Sequence, residues 1–280
     1  MKTAELAAAI KALYELPATA LNTDNERIYV EFRDALEAGA VRAASPDERG
    51  WHTNEWVKKG ILVGFRLGRN ERTDDAGPLG FVDKHTLPAR RFEASEGVRV
   101  VPGGSSIRSG AYIGRDVICM PPMFVNIGAY VDDGTLIDSH ALIGSCAQLG
   151  KRVHVSAAAQ IGGVLEPIGA LPVIVEDDVL IGGNCGVFEG TRVSREAVVA
   201  AGVVLTRSTP VFDIVHRCVL RAHESEPLVI PPRAVVVPGS RRVAGDFATE
   251  HGLQVASPLI VKYRDDSTDA AAALEEALRT

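Results

Sequence analysis

An aliphatic residue recurs every six positions across roughly 110 residues of this chain. It falls at Val101, Ile107 and Ile113, then at Val125, Val131, Ile137, Ile143, Leu149, Val155 and Ile161, with Cys119 filling the one gap. The beat skips at Pro167–Ile174 and resumes at Val175, Ile181, Val187, Val193, Val199, Leu205 and Val211. Four residues after each beat stands a second, mostly small or β-branched residue, as at Ala111, Ala129, Ala141, Ala147, Ala159 and Ala197. Glycine directly follows the beat at Gly114, Gly144, Gly150, Gly162 and Gly182.

A period of six fits neither a helix face nor an alternating strand. It fits a chain that makes a short extended run, turns and repeats. Three runs close a triangular coil of 18 residues, and the coils stack with each beat pointing to the axis above its equivalent in the coil before. The residue four places on is expected at the corner, where only small side chains fit. Hexapeptide periods mark parallel β-helices, in which no coil buries its apolar row alone. A β-sandwich would need turn signals every 8–12 residues, and this sequence has none. The register survives the skipped beat, so Pro167–Ile174 (PIGALPVI) reads as a corner insert. Insertions in repeat scaffolds collect on the binding face.

The flanks follow other rules. Residues 1–97 read as an α-rich, mixed N-terminal domain. Leu6, Ile10, Leu13 and Leu16 have helical spacing before Pro17, and a second helix is expected over Asn25–Ala38, stopped by Gly39. Trp51–Phe65 reads as helix leading to strand, and Asn70–Gly80 as loop. The repeat domain is assigned 98–215 with the insert at 167–174, and 216–280 forms a strand–helix extension. In that extension Glu226–Gly239 is expected to cross back over the repeat, Pro258–Tyr263 to form a strand and Asp269–Arg279 a short helix. These end elements would cap the stack and cover its open edges.

Thirty Lys and Arg against 36 Asp and Glu give a net charge of −6, which argues against a nucleic-acid partner. No apolar run reaches membrane-span length, and the N-terminus lacks a secretion-type cleavage pattern. Cys119, Cys146, Cys185 and Cys218 lack CxxC spacing and read as small buried thiols. A cytoplasmic protein is expected, with neither a nucleic-acid nor a membrane partner.

Three carboxylates within the repeat, Asp138 (TLIDSHA), Glu166 (GGVLEP) and Glu189 (GVFEGT), are candidates to orient an amine and take its proton, against the plain reading of each as a solvated or turn-bonded side chain. His140 and His154 compete as bases, but no three-histidine pattern converges as a zinc site would need. Arg99 and Arg108 suit carboxylate recognition. Lys58 and Lys59 read as a solvated face.

The segments FVNIGAYVDDGTLIDSHALIGSCAQLGKRVHVSAAAQIGGVLEP, WVKKGILVGFRL, RVVPGGSSIRSGAYIG and VVVPGSR together resemble the tetrahydrodipicolinate N-succinyltransferases, over nearly the whole chain. The resemblance implies a left-handed parallel β-helix assembled as a homotrimer with active sites between subunits. It implies succinyl transfer from succinyl-CoA, used as a co-substrate, to the amine of ring-opened tetrahydrodipicolinate, with no metal and no permanently bound cofactor. Arg99 matches the family's dicarboxylate-binding arginine and Asp138 the aspartate that contacts the amine. Gly162, Gly163, Gly182 and Gly183 are places where backbone would approach CoA. Glu189 is a candidate second catalytic acid, because Gly186 stands where many members carry glutamate. His140 stands where an aromatic residue is frequent. Alternatives are an acetyl-CoA-dependent enzyme of the same pathway, a non-catalytic β-helix scaffold and a carbonic-anhydrase-like metal enzyme.

Overall fold

The computed structural model describes residues 1–48, 50–72, 80–223 and 226–265. Two-residue strands repeat along the chain and stack in parallel on three faces. The first face runs through Leu136–Ile137, the second through Leu142–Ile143 and the third through Gln148–Leu149. In each strand the beat residue points inward and its predecessor outward, so Ile137, Ile143 and Leu149 are fully buried. Each beat pairs with its equivalent one coil later, as Ile137 does with Val155 and Ile143 with Ile161. The beats and the residues four places after them form one continuous core.

Those second residues are not on the corner itself. They follow the turn and face inward, as the fully buried Ala111, Ala147 and Ala159 do. The corner belongs to the residue three after the beat, which adopts left-handed backbone at Asp116, His140, Arg152, Asp178, Asn184 and Glu196. This conformation aims the corner N–H along the stack. Arg152 N donates to Asp133 O at 2.9 Å, Asp178 N to Lys151 O at 2.9 Å and Glu196 N to Asp177 O at 2.9 Å. Glycine relieves the φ penalty at Gly134. The glycines directly after beats serve another need. A Cβ on Gly182 would lie 2.5 Å from Ala201 N, and one on Gly144 would strike the backbone of Gly163.

Two beats are displaced. Arg99–Val100 pairs with Ile118–Cys119, so Val100 rather than Val101 lies over Cys119. The extra residue sits in the Gly103–Gly104 turn, where both φ angles are positive. Val211 leaves the stack as part of Val211–Asp213, which pairs with Cys218–Leu220 and Leu259–Tyr263. Val229–Ile230 takes its place above Arg192–Val193, and Ala234–Val237 stacks above Val198–Val199. Glu226–Gly239 therefore continues the coil instead of crossing back. Ile230 and Val236 are displaced beats, hidden because a second excursion separates them from Leu205. Stacking thus extends past residue 215 to Val237. The expected strand at Pro258–Tyr263 forms as Leu259–Tyr263, antiparallel to Ala234–Val237.

The N-terminal domain covers the third face. Helices α1 (Thr3–Glu15), α2 (Thr23–Glu37) and α3 (Glu55–Leu67) bury Leu6, Ile10, Tyr29, Phe32, Val57 and Ile61 together with Ile127 and Cys146 of the β-helix. Asn22 caps α2, its Oδ1 accepting from Asp24 N at 3.0 Å and Asn25 N at 3.2 Å. Trp51–Phe65 runs opposite to expectation, strand Gly50–Thr53 first and α3 second. Asn70–Arg72 is a strand paired with Val82–Lys84. The Arg42 guanidinium lies 3.6 Å from the Tyr130 ring centroid, and its Nε donates to Gln148 Oε1 at 2.9 Å. Cys119, Cys146 and Cys185 are buried as expected, but Cys218 is exposed. The helix expected at Asp269–Arg279 lies outside the described residues. Among the described residues no helix is long and apolar enough to cross a membrane.

Asp213 ties the second excursion down. Its buried carboxylate accepts from Tyr263 Oη at 2.6 Å, His216 Nδ1 at 2.8 Å and His216 N at 2.9 Å. Burial pushes its pKa up, but these donors outweigh burial and hold it below the ordinary aspartate value. A carboxyl depressed in the folded state stabilises above its unfolded pKa of about 3.9, and that contribution is lost as pH falls through the folded value. The gap in urea midpoint between the wild type and Asp213→Asn is therefore expected to hold near neutrality and shrink below about pH 4. Gly144→Ala, with backbone in its way, is expected to cost about 1–3 kcal/mol by urea denaturation.

Candidate functional site at two corners of the coil

The sequence-selected residues fall on two separate corners. Asp138 follows a first-face strand and stands where the first and second faces meet. Its backbone N–H donates to Val155 O at 2.9 Å, which holds the corner in register. Oδ1 accepts from Ser139 N at 2.7 Å, and Oδ2 makes no hydrogen bond among the described residues. One carboxylate oxygen is thus held by the backbone while the other is available to a ligand. Gly182 and Gly183 lie on the same corner, two coils further along, joined through Asn184 N to Ala157 O at 3.0 Å and Ala158 N to Ser139 O at 2.8 Å.

Arg99 is exposed on the first face. It pairs with Ile118, which pairs with Leu136, so it stands two rungs before Asp138's strand, about 10 Å along the stack. Arg108 is occupied, with Nη2 on Asp83 Oδ2 at 2.6 Å. His140 is the left-handed corner residue beside Asp138, and lines a hollow of about 300 Å³ with Phe124, Leu142 and Gln160. His154 points outward from the first face between Leu136 and Leu180.

The corner between the second and third faces carries the insert. Gly162, Gly163, Glu166, Phe188, Glu189 and Arg207 line a cavity of about 940 Å³ there, closed on one side by the insert. Glu189 is exposed, with positive φ, and its Oε2 accepts from Arg207 N at 3.0 Å. Burial holds the Cys119 and Cys146 thiols up at about 12, so neither offers a thiolate. One chain therefore places Asp138 on the same corner as Gly182–Gly183, and Glu189 beside Gly162–Gly163 on another, and does not bring the two carboxylates together.

Residues 5–67 match the family profile "Tetrahydrodipicolinate N-succinyltransferase N-terminal", and residues 172–207 match "Hexapeptide repeat of succinyl-transferase". A protein of Rhodopseudomonas palustris (strain BisA53) named 2,3,4,5-tetrahydropyridine-2,6-dicarboxylate N-succinyltransferase is 41% identical over 253 residues, covering 88% of this chain and 87% of its own. Relatives of the same name from Xylella fastidiosa (strain 9a5c) and Bordetella avium (strain 197N) are 42% and 43% identical, each covering 88% of this chain and 86% of its own. The chain belongs to the tetrahydrodipicolinate N-succinyltransferase family. A solved Campylobacter jejuni chain, named as a candidate 2,3,4,5-tetrahydropyridine-2-carboxylate N-succinyltransferase, shares the fold at a TM-score of 0.51 and 15% identity, covering 85% of this chain and 63% of its own.

Within this family framework Gly186 has a local cause. A Cβ there would strike the Phe188 ring, and a Cβ on Gly162 would lie 2.7 Å from the same ring. Phe188 thus occupies the space a side chain at either glycine would need, and it lines the cavity. Lys58, which reads as part of a solvated face in the sequence, is fully buried. Its spacing held the clue, since with Val57, Ile61, Gly64 and Phe65 it falls on the apolar stripe of α3. Arg207 was missed as well, because nothing in the hexad marks it. Gly186→Glu is expected to displace Phe188 and cost about 1–3 kcal/mol, read as a lower thermal midpoint.

Proposed function

We infer that this protein transfers the succinyl group of succinyl-CoA to the amine of ring-opened tetrahydrodipicolinate (L-2-amino-6-oxopimelate), in lysine and diaminopimelate biosynthesis. The observation that carries this reading is the match over 88% of the chain, at 41–43% identity, to proteins named for that transfer. The amine nitrogen attacks the thioester carbonyl, the C–N bond forms and the C–S bond breaks. The amine gives up a proton and CoA leaves as its thiol. The products are N-succinyl-2-amino-6-oxopimelate and CoA.

Asp138 is assigned to the amine. A protonated amine is no nucleophile, so a carboxylate that holds it and accepts a proton supplies both orientation and general-base help. The backbone-held Oδ1 and available Oδ2 of Asp138 suit that role. Arg99, exposed on the same side of the stack, is assigned to a carboxylate of the acceptor. Gly162–Gly163 and Gly182–Gly183 are assigned to CoA, and Glu189 is the second acid. Backbone N–H groups suffice to stabilise the thioester oxyanion, and thiolate is an adequate leaving group.

A homotrimer of left-handed β-helices with sites between subunits is the assembly proposed. Asp138 and Glu189 stand on different corners of one chain, so one substrate meets both only if a second copy supplies one of them. The first and second faces, not covered by the N-terminal domain, present Ile118, Leu136 and Leu180, and Phe124 and Leu142, as outward rows suited to a second copy. A cytoplasmic setting fits a succinyl-CoA-consuming biosynthetic enzyme.

The assay is CoA-thiol release from succinyl-CoA with tetrahydrodipicolinate. Turnover with acetyl-CoA and none with succinyl-CoA would overturn the reading. Asp138→Asn is expected to lower kcat/KM about 10²–10⁴-fold, with an unchanged unfolding midpoint showing that the fold persists.

A further inference from the structure

Lys58, which reads as a solvated residue in the sequence, meets the insert. The Lys58 side chain is fully buried within α3, and Nζ donates to Ala170 O at 2.5 Å. Thr53 Oγ1 donates to the same oxygen at 3.2 Å. Lys59, its neighbour, is the one that reaches the surface, 3.8 Å from Glu15. Burying an ammonium is costly unless it is bonded, and burial pushes the Lys58 amine below its ordinary range despite the opposing effects of Cys146 and Glu55. A lysine kept there against that cost invites a role beyond packing.

Ala170 is inside the insert, where its N–H closes a turn on Pro167 O at 3.0 Å. Gly169 and Ala170 line the cavity with Glu166. The next carbonyl, Leu171 O, lies so close to Gly190 that a Cβ there would stand 2.6 Å away. Gly190 directly follows Glu189. A path of contacts thus runs from α3 through the insert to the turn that bears Glu189.

We propose that Lys58 is a positioning residue for acyl transfer: by holding Ala170 O it sets Glu166–Leu171 as the fixed wall of the cavity that receives the acyl-CoA. This rests on the acyl-transfer reading given above. Lys58 touches no reacting atom. Its effect falls on how tightly the thioester arm is held, and therefore on KM for succinyl-CoA more than on kcat.

Two measurements on the full-length chain test this. Hydrogen exchange without ligand is expected to run about tenfold faster at the amides of 166–171 in Lys58→Met, with the coil amides unchanged. KM for succinyl-CoA is expected to rise about tenfold while kcat stays within about threefold. Thr53→Val, which removes the weaker donor and keeps the shape, should shift both in the same direction by less, and it decides the matter if Lys58→Met fails to fold. Unchanged exchange in the insert overturns the proposal. Faster exchange with wild-type KM for succinyl-CoA also overturns it, and leaves the acyl-transfer reading standing. A wild-type chain that releases no CoA overturns that reading and the proposal with it, and the exchange data then report the anchor alone.

Discussion

Peptide groups bonded from coil to coil hold this molecule together, and the corners decide whether that bonding can continue. A parallel strand of two residues makes few bonds by itself. The chain must turn sharply after each one and still present its N–H groups along the stack. The left-handed residue three places after the beat does this, as the bonds from Arg152, Asp178 and Glu196 to the corner before them demonstrate. Non-glycine residues in that conformation carry a cost of order 1 kcal/mol or more each. The chain tolerates it because corners such as Arg152, Asp178 and Glu196 are bonded to the coil before them and the aliphatic column beneath them is buried.

That stacking makes the scaffold straight and its corners regular, and function is written at the irregularities. Asp138 is a corner residue whose side chain takes one N–H from its own turn and keeps one oxygen available. The insert leaves the coil after Val164, whose N–H still bonds Ser145 O, and the chain is back in register at Ile174, with the cavity beside it. The N-terminal domain covers the third face, with Arg42 on Tyr130 and its helical core packed on Ile127, and anchors the insert through Lys58 and Thr53. It is therefore both a cover for one face and a support for the cavity wall.

Legibility followed the range of the interactions. Helices α1 and α2 were readable from 3.6-residue spacing, since their burial repeats locally. The strand Asn70–Arg72 was not, because three polar residues reveal a strand only through the partner Val82–Lys84. The displaced beats Ile230 and Val236 were hidden by the second excursion, whose chain length carries no period. Lys58 read as surface because two adjacent lysines suggest solvent, although one residue of rotation, 100° on a helix, separates the surface from the core. Asp138 and Glu189 were both legible as candidates, but their placement on different corners was not.

The sequence by itself determined the triangular coil and its inward column, because a fixed period forces each side chain to stack on its own repeat. It also determined the family, through segments such as VNIGAYVD and IGGVLEP that the period does not require. Only the tertiary structure decided which corner each functional residue occupies, how far the stack runs past residue 215, and what holds the insert. Those depend on contacts between segments separated by irregular lengths of chain, and a local period holds no information about where such segments meet.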